Sequence, residues 1–550
     1  MVSHQSAFAL RALTFSMLCL AAGHTFAGGL DLPSITASHQ GTSNANAAEA
    51  NDPSVLYYNP AGLAQLKGGL QVSQGFSVLI LNGKVEADRN ETRHGASDAT
   101  QKSDEGDPIG NDTATNGKAG TFWPAVLAAG GAFVSLPIDD MVTAGIGIFA
   151  PGGGNLNFKS NWAGAYQIDS IAIELININP SIGIRFDDKH SVGFGVSVIG
   201  GHIRQKTQID IEGVKPFLLK SAVDSGAVDV GGIPLLSTLL SPCGTNPISA
   251  ACIAGYNVAG DALVAEGSNG SAQVEMYGYG LGFNAGYMFN FNENTRAGLA
   301  YRSESTIKLR GTLEWDLDDV KGTPLFNNVI GPATGGYSGD DALKMFLQDT
   351  LRPDTKTKGD LILPARTSAN IFHKLNDKID VMADFTFIET SAVDKIRVQF
   401  LDVQKNGKTI KQGAGGIDTK WRDSFKVSLG GNYHYDDKLT LKSGFQYDKT
   451  PVPSAEFRHP GAPDSDRYMF SFGANYKVKR NLTLDAAYSV TFLEDSESNY
   501  TDRCRTTNRD DEDGTYNPNG ESCTGNGGKF SGRFSDTSIQ TLGIQMNQKF

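Results

Sequence analysis

Residues 482–492 read LTLDAAYSVTF, and in this stretch small or apolar residues occupy every second position. The residues between them are mostly polar. The same alternation runs through residues 425–435, 468–478 and 542–550. Successive side chains of a β-strand point to opposite faces, so a period of two predicts strands with one apolar and one polar face.

Two architectures use such strands. In a soluble sandwich the apolar face is the protein core, whereas in an outer-membrane barrel it faces lipid and the polar face lines a lumen. The strands here run about 10 to 13 residues, which is long for a soluble sheet and suits a tilted membrane crossing. Aromatic residues recur near strand ends, as at Tyr433, Tyr435, Tyr468 and Tyr476. We therefore favour an all-β transmembrane barrel and keep the soluble sandwich as the alternative.

The connections between strands alternate between short and long. The short turns centre on residues 139–140, 187–188, 292–294, 376–377, 436–437 and 480–481. The long polar or Gly-rich stretches are residues 88–121, 151–165, 212–272, 316–360, 404–420, 450–466 and 496–535. These connections separate about 14 antiparallel strands, and short turns at one end with long extracellular loops at the other are typical of outer-membrane barrels.

The composition limits the class of protein. The chain has 550 residues and a formal net charge of −12, and this negative sign disfavours a nucleic acid partner, so none is predicted. The mean hydropathy is −0.26. One apolar run lies between Ala7 and Ala22 and is followed by Thr25-Phe26-Ala27, a small-x-Ala cleavage pattern. We interpret residues 1–27 as a secretory signal peptide.

Residues 28–68 precede the first predicted strand and have no period of two. They include Asn51-Asp52-Pro53-Ser54 and Asn59-Pro60-Ala61-Gly62, and Asx-Pro steps favour turns. A barrel of about 14 strands lies between those filled by their own side chains and those that leave an aqueous pore. We expect residues 28–68 to form a plug, or hatch, inside a barrel of residues 69–550. The alternative is a disordered periplasmic tail.

Five groups of residues spread along the chain carry a resemblance to one family. They are residues 57–63 (YYNPAGL); 149–153 (FAPGG) with 162–164 and 179–181; 284–286 with 301–304; 363–366 (LPAR); and 421–424 with 447–453 and 463–467. In this order they resemble the FadL-type long-chain fatty acid transporters of Gram-negative outer membranes, a family that also includes aromatic hydrocarbon transporters.

The resemblance implies passive uptake of long-chain fatty acids or similar hydrophobic molecules. The implied steps are capture in an extracellular loop groove, transfer to a lumenal pocket, rearrangement of the hatch, and lateral exit through a gap in the barrel wall.

A fatty acid carboxylate in an apolar pocket needs a cationic partner, because burying an unpaired charge is costly. The candidate lumenal cations are Arg204, Lys206, Arg302 and Arg397. The period of two directs Arg302 inward, and Arg397 occupies a position that resembles a carboxylate-contacting lysine of the family. The alternative for each is a structural pair with a lumenal acid, such as Glu304 or Asp384, or with the hatch.

Two of the predicted external loops carry Leu-rich segments. Their candidate groove-lining residues are Leu235, Leu236, Leu239, Leu240, Leu343, Phe346 and Leu347. The last three recur at helical spacing, which predicts an amphipathic helix. The resemblance implies that the two loops form a first, low-affinity capture groove. The alternative is that the segments pack on each other as a core of the loops.

The predicted strand that ends at Phe149 is followed by Pro151, Gly152 and Gly153. Proline lacks the N–H that a ladder needs and glycine weakens a strand, so continuous pairing cannot extend through these residues. The resemblance implies an inward kink that opens a gap in the wall. The alternative is the ordinary outer end of a strand.

The loops also hold cysteines. Their short separations favour the disulfides Cys243–Cys252 and Cys504–Cys523, in a compartment that permits them. The sequence contains neither a catalytic motif nor metal-ligand spacing, so we predict no enzyme activity, no cofactor and no metal.

The predicted partners follow from the membrane setting. They are a long-chain fatty acid or other hydrophobic small molecule, outer-membrane lipid and lipopolysaccharide, and the barrel assembly machinery, for which the terminal Phe550 fits an assembly signal. We expect a monomer in the outer membrane of a Gram-negative bacterium. The rival functions are a channel for aromatic or alkane hydrocarbons, which a wholly apolar pocket would favour, a barrel lipase, and a surface receptor or adhesin.

Overall fold

The computed structural model describes residues 34–88, 93–94, 125–158, 162, 164–209, 211, 215, 219, 223, 234–241, 255, 258–266, 268–405, 407–410, 412–501 and 528–550. The predicted signal peptide and the predicted disulfides of Cys243, Cys252, Cys504 and Cys523 fall outside the described residues. Within the described ranges, none of the helices has the length and apolarity that a membrane-crossing helix needs.

Antiparallel strands make up most of the described chain. They are β1 (Gln71–Ala87), β2 (Arg93–His94), β3 (Ala125–Pro137), β4 (Val142–Phe149), β5 (Gly153–Asn157), β6 (Ser170–Arg185), β7 (His190–Ile209), β8 (Gly270–Asn292), β9 (Thr295–Arg302), β10 (Ser305–Asp316), β11 (Thr355–Leu363), β12 (Arg366–Lys374), β13 (Ile379–Ile388), β14 (Lys395–Phe400), β15 (Val403–Lys405), β16 (Lys408–Ile410), β17 (Ala414–Asp418), β18 (Ser424–His434), β19 (Leu439–Asp448), β20 (Arg467–Lys479), β21 (Leu482–Leu493), β22 (Ser496–Thr501) and β23 (Gly528–Lys549).

The sheet closes on itself, because β1 pairs with β3 on one side and with β23 on the other. Some barrel strands consist of two consecutive segments, namely β1–β2, β4–β5, β9–β10, β11–β12, β13–β14, β17–β18 and β21–β22. With each such pair taken as one strand, the result is a closed antiparallel barrel of 14 strands, the number that the sequence predicts. The strands β15 and β16 form a separate hairpin.

The described helices are short and are not part of the barrel wall. They are α1 (Ala37–Gln40), α2 (Val55–Tyr58), α3 (Pro234–Leu240), α4 (Gly331–Gly335) and α5 (Ala342–Thr350), with 3₁₀ turns at Pro60–Gln65, Thr390–Ala392 and Ala455–Phe457 and a π turn at Phe326–Ile330.

The two faces of the wall are inverted relative to a soluble protein. On β7 the buried face carries Ser191 and Ser197, whereas Phe194 is 48% and Val196 is 42% exposed. The exposed apolar side chains alternate with lumenal polar ones, as the period of two predicts for a barrel whose outer face meets lipid. This inversion excludes the soluble sandwich.

All six predicted short turns join consecutive strands. In one of them, Asp187 Oδ1 accepts hydrogen bonds from the backbone N–H groups of Lys189 at 2.7 Å and His190 at 2.6 Å. These backbone donors lower the pKa of Asp187, because they stabilise the charged carboxylate. Asp436 has its pKa lowered in the same way by Lys438 and Leu439, so an aspartate at this position fixes the turn.

Several strands extend further into the predicted loops than the sequence indicates. The predicted loop 496–535 contains β22 and the start of β23, and the predicted loop 316–360 contains the start of β11. Residues of β22 alternate in burial, yet Ser496, Glu497, Ser498 and Asn499 are all polar. The alternation of apolar and polar residues therefore ends where a strand extends beyond the membrane, although the strand itself continues.

The segment of residues 34–66, called here the N-terminal segment, contacts the lumenal faces of well-separated strands. Gln40 Nε2 donates to the carbonyl of Thr541 on β23 at 2.8 Å. Asn59 Nδ2 donates to the carbonyl of Leu299 on β9 at 3.2 Å. From β19, Lys442 Nζ donates to the carbonyl of Ser38 at 3.2 Å. These contacts lie toward the end of the barrel that carries the short turns.

Glycines in the wall allow this close approach. A Cβ atom at Gly193 would overlap the backbone of Pro60 and Ala61. On the outer face of the same strand, a Cβ atom at Gly200 would meet Ile176 Cγ2 at 3.3 Å. The close fit of the N-terminal segment thus requires a glycine at position 193. It does not require one at position 200.

Replacing Gly193 by Leu should displace the N-terminal segment while leaving the barrel assembled, because the ladder pairs through backbone groups. We expect faster protease cleavage within residues 34–66 of the detergent-solubilised protein, with the heat-modifiable gel migration of a folded barrel retained. Gly200→Leu is the matched control and should leave the segment protected. Equal cleavage of the two variants would contradict a role for this contact.

Candidate functional site

A partly open cavity lies in the lumen beside the N-terminal segment, and about 810 Å³ of it, open solvent included, is not filled by protein atoms. Apolar side chains line part of it, among them Ile199, Leu363, Ile388 and Trp421. Its charged lining residues are Arg302, Arg366, Lys426, Asp448 and Arg467. Among the side chains that line the cavity, the cations outnumber the carboxylate.

Arg302 and Arg366 are register partners on the adjacent strands β9 and β12. Arg302 Nη2 donates to the backbone carbonyl of Tyr57 at 2.8 Å, and its guanidinium lies 4.7 Å from the centre of the Tyr57 ring. Arg366 Nη1 lies 3.5 Å from the Tyr57 hydroxyl oxygen. Like charges directly opposite each other on neighbouring strands repel, so an anion between these two arginines would relieve that repulsion.

Lys426 and Arg467 share one carboxylate. Lys426 Nζ lies 3.3 Å and Arg467 Nη2 lies 2.9 Å from Asp448 Oδ2, and all three side chains are largely buried. A second buried carboxylate, Asp464, lies 3.6 Å from Arg467 Nε, so these two cations are balanced within the protein. A second cavity of about 750 Å³ adjoins the first, with which it shares Tyr57, Lys426 and the two opposed arginines.

A cluster of buried apolar residues fills the lumen on the loop side of the cavity. Its members come from strands around the barrel and include Leu79, Leu175, Ile203, Leu309, Leu361 and Phe534. In the same cluster Phe158 stacks on Trp162 with ring centres 3.9 Å apart. The lumen of a membrane barrel is usually polar, so an apolar lumenal cluster indicates a hydrophobic cargo.

The barrel wall is interrupted between β4 and β5. Pairing of β4 with β3 ends at Phe149, followed by one hydrogen bond from the Ala150 N–H. Among the described strands, β5 pairs with β6 alone. Gly153 has a φ of 141°, which favours glycine. Pro151 lines the cavity, so the cavity reaches the break that Phe149, Pro151, Gly152 and Gly153 make.

The Leu-rich segments of the two loops pack on each other. The buried members of this loop cluster include Leu236, Leu240, Leu343, Phe346 and Leu347. Leu239 packs partly buried against the cluster, and Leu235 is 42% exposed. Most of the predicted groove residues therefore form a core that joins α3 to α5. Of the predicted set, Leu235 and Leu239 are the ones with surface left for a ligand.

Two of the predicted lumenal cations lie on the outer face of β7. Arg204 and Lys206 alternate with Ile203, whose side chain belongs to the lumenal cluster. Arg204 is half exposed and pairs with Glu275 of the adjacent strand at 3.1 Å. The prediction that Arg204 and Lys206 face the lumen is wrong. Ile203 points into the lumen, and residues at even positions of this strand therefore point outward.

Arg397 also lies away from the cavity. It is on the opposite face of β14 from Val398, which packs against the lumenal cluster, and it pairs with Asp418. The prediction of a lumenal Arg397 is therefore wrong as well. Arg302 is the member of the predicted set that lines the cavity.

Sequence reasoning missed three cations of the cavity, Arg366, Lys426 and Arg467. A signal for Arg366 exists, because it shares a face of β12 with the lumenal Ser368 and Asn370. Similarly, Arg467 shares a face of β20 with the buried Ser471. Counting inward positions along every strand, rather than along a few, would have found both.

A closed barrel with an apolar outer face and a cation-lined cavity inside defines an outer-membrane transport channel. The family model described as "Outer membrane protein transport protein (OMPP1/FadL/TodX)" matches residues 18–550. The chain belongs to this family, which is composed of transport channels and not of enzymes. The protein is accordingly an outer-membrane transporter of hydrophobic compounds.

The chain also resembles individual members of the family, and one solved structure shares its fold. The chain is 27% identical over 497 residues to outer membrane protein P1 of Haemophilus influenzae, covering 87% of this chain and 89% of that one. It is 24% identical over 375 residues to the long-chain fatty acid transport protein of Escherichia coli O157:H7, covering 68% and 72%. The crystal structure of a Pseudomonas aeruginosa FadL homologue matches with a TM-score of 0.65 and 22% identity, covering 95% of this chain and 100% of that one.

Truncating Phe346 to Ala should loosen the loop cluster, because a buried Phe→Ala change costs about 3 kcal/mol or more. We expect amide hydrogen exchange in α3 and α5 to accelerate about a hundredfold. Leu235→Ala, at an exposed position of α3, should leave exchange unchanged. If both variants exchanged at the wild-type rate, the cluster would not be what holds the two loops together.

Proposed function

We propose that this protein takes up long-chain fatty acids across the outer membrane without an energy source of its own. The observation that carries this proposal is the opposition of Arg302 and Arg366 at a cavity next to an apolar lumenal cluster. A fatty acid has the matching chemistry, with one carboxylate at the end of a long hydrocarbon chain.

The energetics favour this match. Each buried methylene contributes about 0.8 kcal/mol, so the hydrocarbon chain supplies most of the binding free energy in an apolar lumen. The carboxylate needs charged partners when it leaves water, and charge-assisted hydrogen bonds from guanidinium groups meet that need. An alkane or a small aromatic hydrocarbon would gain the free energy of burying apolar surface but has no carboxylate to offer the arginines. The cations of the cavity therefore favour a fatty acid over a hydrocarbon.

We assign the remaining steps of transport to three further regions. The exposed Leu235 and the partly buried Leu239 would take part in capture at the loops. The N-terminal segment would act as the hatch, since Tyr57 of that segment contacts the cavity arginines. Exit would proceed sideways through the break in the wall at Pro151, which the cavity reaches.

Removing both opposed arginines, as Arg302→Gln with Arg366→Gln, should weaken oleate binding about tenfold to a hundredfold, because hydrogen bonds to charged groups are worth about 1.5–3 kcal/mol. Binding of methyl oleate, which has no charge, should change little. Both affinities can be measured in lipid nanodiscs through the fluorescence of Trp421, which lines the cavity.

Arg204→Gln is the matched control for this pair, because Arg204 lies on the outer face of the wall. Its affinity for oleate should equal that of the wild type. Equal losses for oleate and methyl oleate in the double variant would reject a carboxylate site and favour a hydrocarbon channel.

Restoring a regular strand at the break should slow exit. With Pro151→Val, Gly152→Thr and Gly153→Val combined, β5 gains residues that can extend the ladder toward β3. We expect oleate uptake by whole cells to fall about tenfold or more, while oleate affinity stays near the wild-type value because the arginines are intact. Pro137→Val, at the turn end of β3, is the control. Wild-type uptake in the triple variant would exclude exit through this break.

A further inference from the structure

Four exposed cations stand on the outer face of β10 and β11 near the loop end of the barrel. They are Lys308, Arg310, Lys356 and Lys358, called here the outer cation patch. On β10 they alternate with Ile307 and Leu309, and on β11 the alternating series ends at Leu361, all of which belong to the lumenal cluster. The cationic side chains therefore point away from the lumen, toward the surroundings of the barrel.

The patch begins where the apolar belt of the barrel ends. In the ladder with β8, Lys308 is opposite Tyr279 and Arg310 is opposite Tyr277. Tyr279 is 71% exposed, and Leu281 on the same face is also exposed. Exposed tyrosines mark the boundary between hydrocarbon and headgroups. The patch is thus at the level of the lipid headgroups in the outer leaflet.

The four cations have no partner among the residues that the structure describes. In the part of the chain that the structure describes, their side chains form neither ion pairs nor hydrogen bonds. Arg310 and Lys358 are directly opposite each other in the ladder, which is unfavourable for like charges. Outward cations on nearby strands differ, since Arg204 pairs with Glu275 and Arg397 is likewise paired. Asp360 is opposite Lys308 on the same outer face. With four cations and this one carboxylate the patch keeps a net positive charge, which favours an external anion.

We propose that the outer cation patch binds the phosphate groups of a phosphorylated glycolipid in the outer leaflet, the lipid A part of lipopolysaccharide. Guanidinium groups bind phosphate through paired N–H donors, and lysines add point charges around it. A lipid fits better than a soluble anion, because its acyl chains would lie along Leu281 and the apolar belt below the patch. Its two phosphates match a patch that spans two strands.

The test is native mass spectrometry of the delipidated full-length protein titrated with diphosphoryl lipid A. Lys308→Gln, Arg310→Gln, Lys356→Gln and Lys358→Gln combined should lower the apparent affinity about tenfold or more, and Arg310→Gln with Lys358→Gln should lower it less. The wild type should bind monophosphoryl lipid A more weakly than the diphosphoryl form. Lys477→Gln with Lys479→Gln, exposed cations at the short-turn end of β20, is the control and should bind like the wild type.

Oleate affinity and heat-modifiable migration should be unchanged in every variant, which separates this site from the lumenal one and verifies folding. Wild-type lipid A affinity in the quadruple variant would overturn the proposal, and so would an equal loss in the control. Displacement of lipid A by equimolar inorganic phosphate would also overturn it, because the site would then recognise any phosphate and not the lipid.

Discussion

Every backbone N–H and C=O group that crosses the hydrocarbon core must find its partner inside the protein, because no water is present there. The pairing of β1 with both β3 and β23 meets this requirement by closing the sheet. An interrupted ladder is then tolerated only where protein or lumen covers it. At the break between β3 and β5, Leu156 and Phe158 are buried in the lumenal cluster and provide that cover. The need to pair backbone groups away from water thus explains why the wall is closed and why buried residues cover its gap.

The closed barrel also determines which face of a strand can carry charged side chains. A strand in the wall has one face in lipid and one in the lumen, so a cation at membrane depth has to face inward. Lys442 and Asp485 form such an inward pair at 3.1 Å, and Lys442 also holds the carbonyl of Ser38. Arg296 donates to the carbonyl of Glu49 at 3.0 Å. Lumenal charge therefore anchors the N-terminal segment, while the cations that line the cavity form a separate group nearer the loops.

The sequence predicts the strands and short turns well because each of these is a local feature, such as the alternation around Tyr488 or the aspartate at residue 187. The orientation of charged residues at strand ends is harder. The stretch from Arg204 to Thr207 is polar throughout, so its phase has to be counted from Val196 and Val198. For Arg397 counting fails altogether, because the turn at Thr390–Ala392 interrupts the strand. The opposition of two arginines across β9 and β12 depends on strand pairing, which no single stretch of sequence contains.

A transporter has to release what it binds, and the cavity is built in a way that limits affinity. Arg302 already donates to the Tyr57 carbonyl, and Lys426 and Arg467 already share Asp448. A ligand carboxylate that enters would exchange with these partners and would not meet bare charges, so its net gain is smaller than the gross strength of a buried ion pair. The exchange at Arg302 also removes a contact that holds the N-terminal segment. Under the proposed function, a bound carboxylate replaces the Tyr57 carbonyl as a partner of Arg302. Ligand binding would therefore weaken the attachment of the hatch and promote its movement.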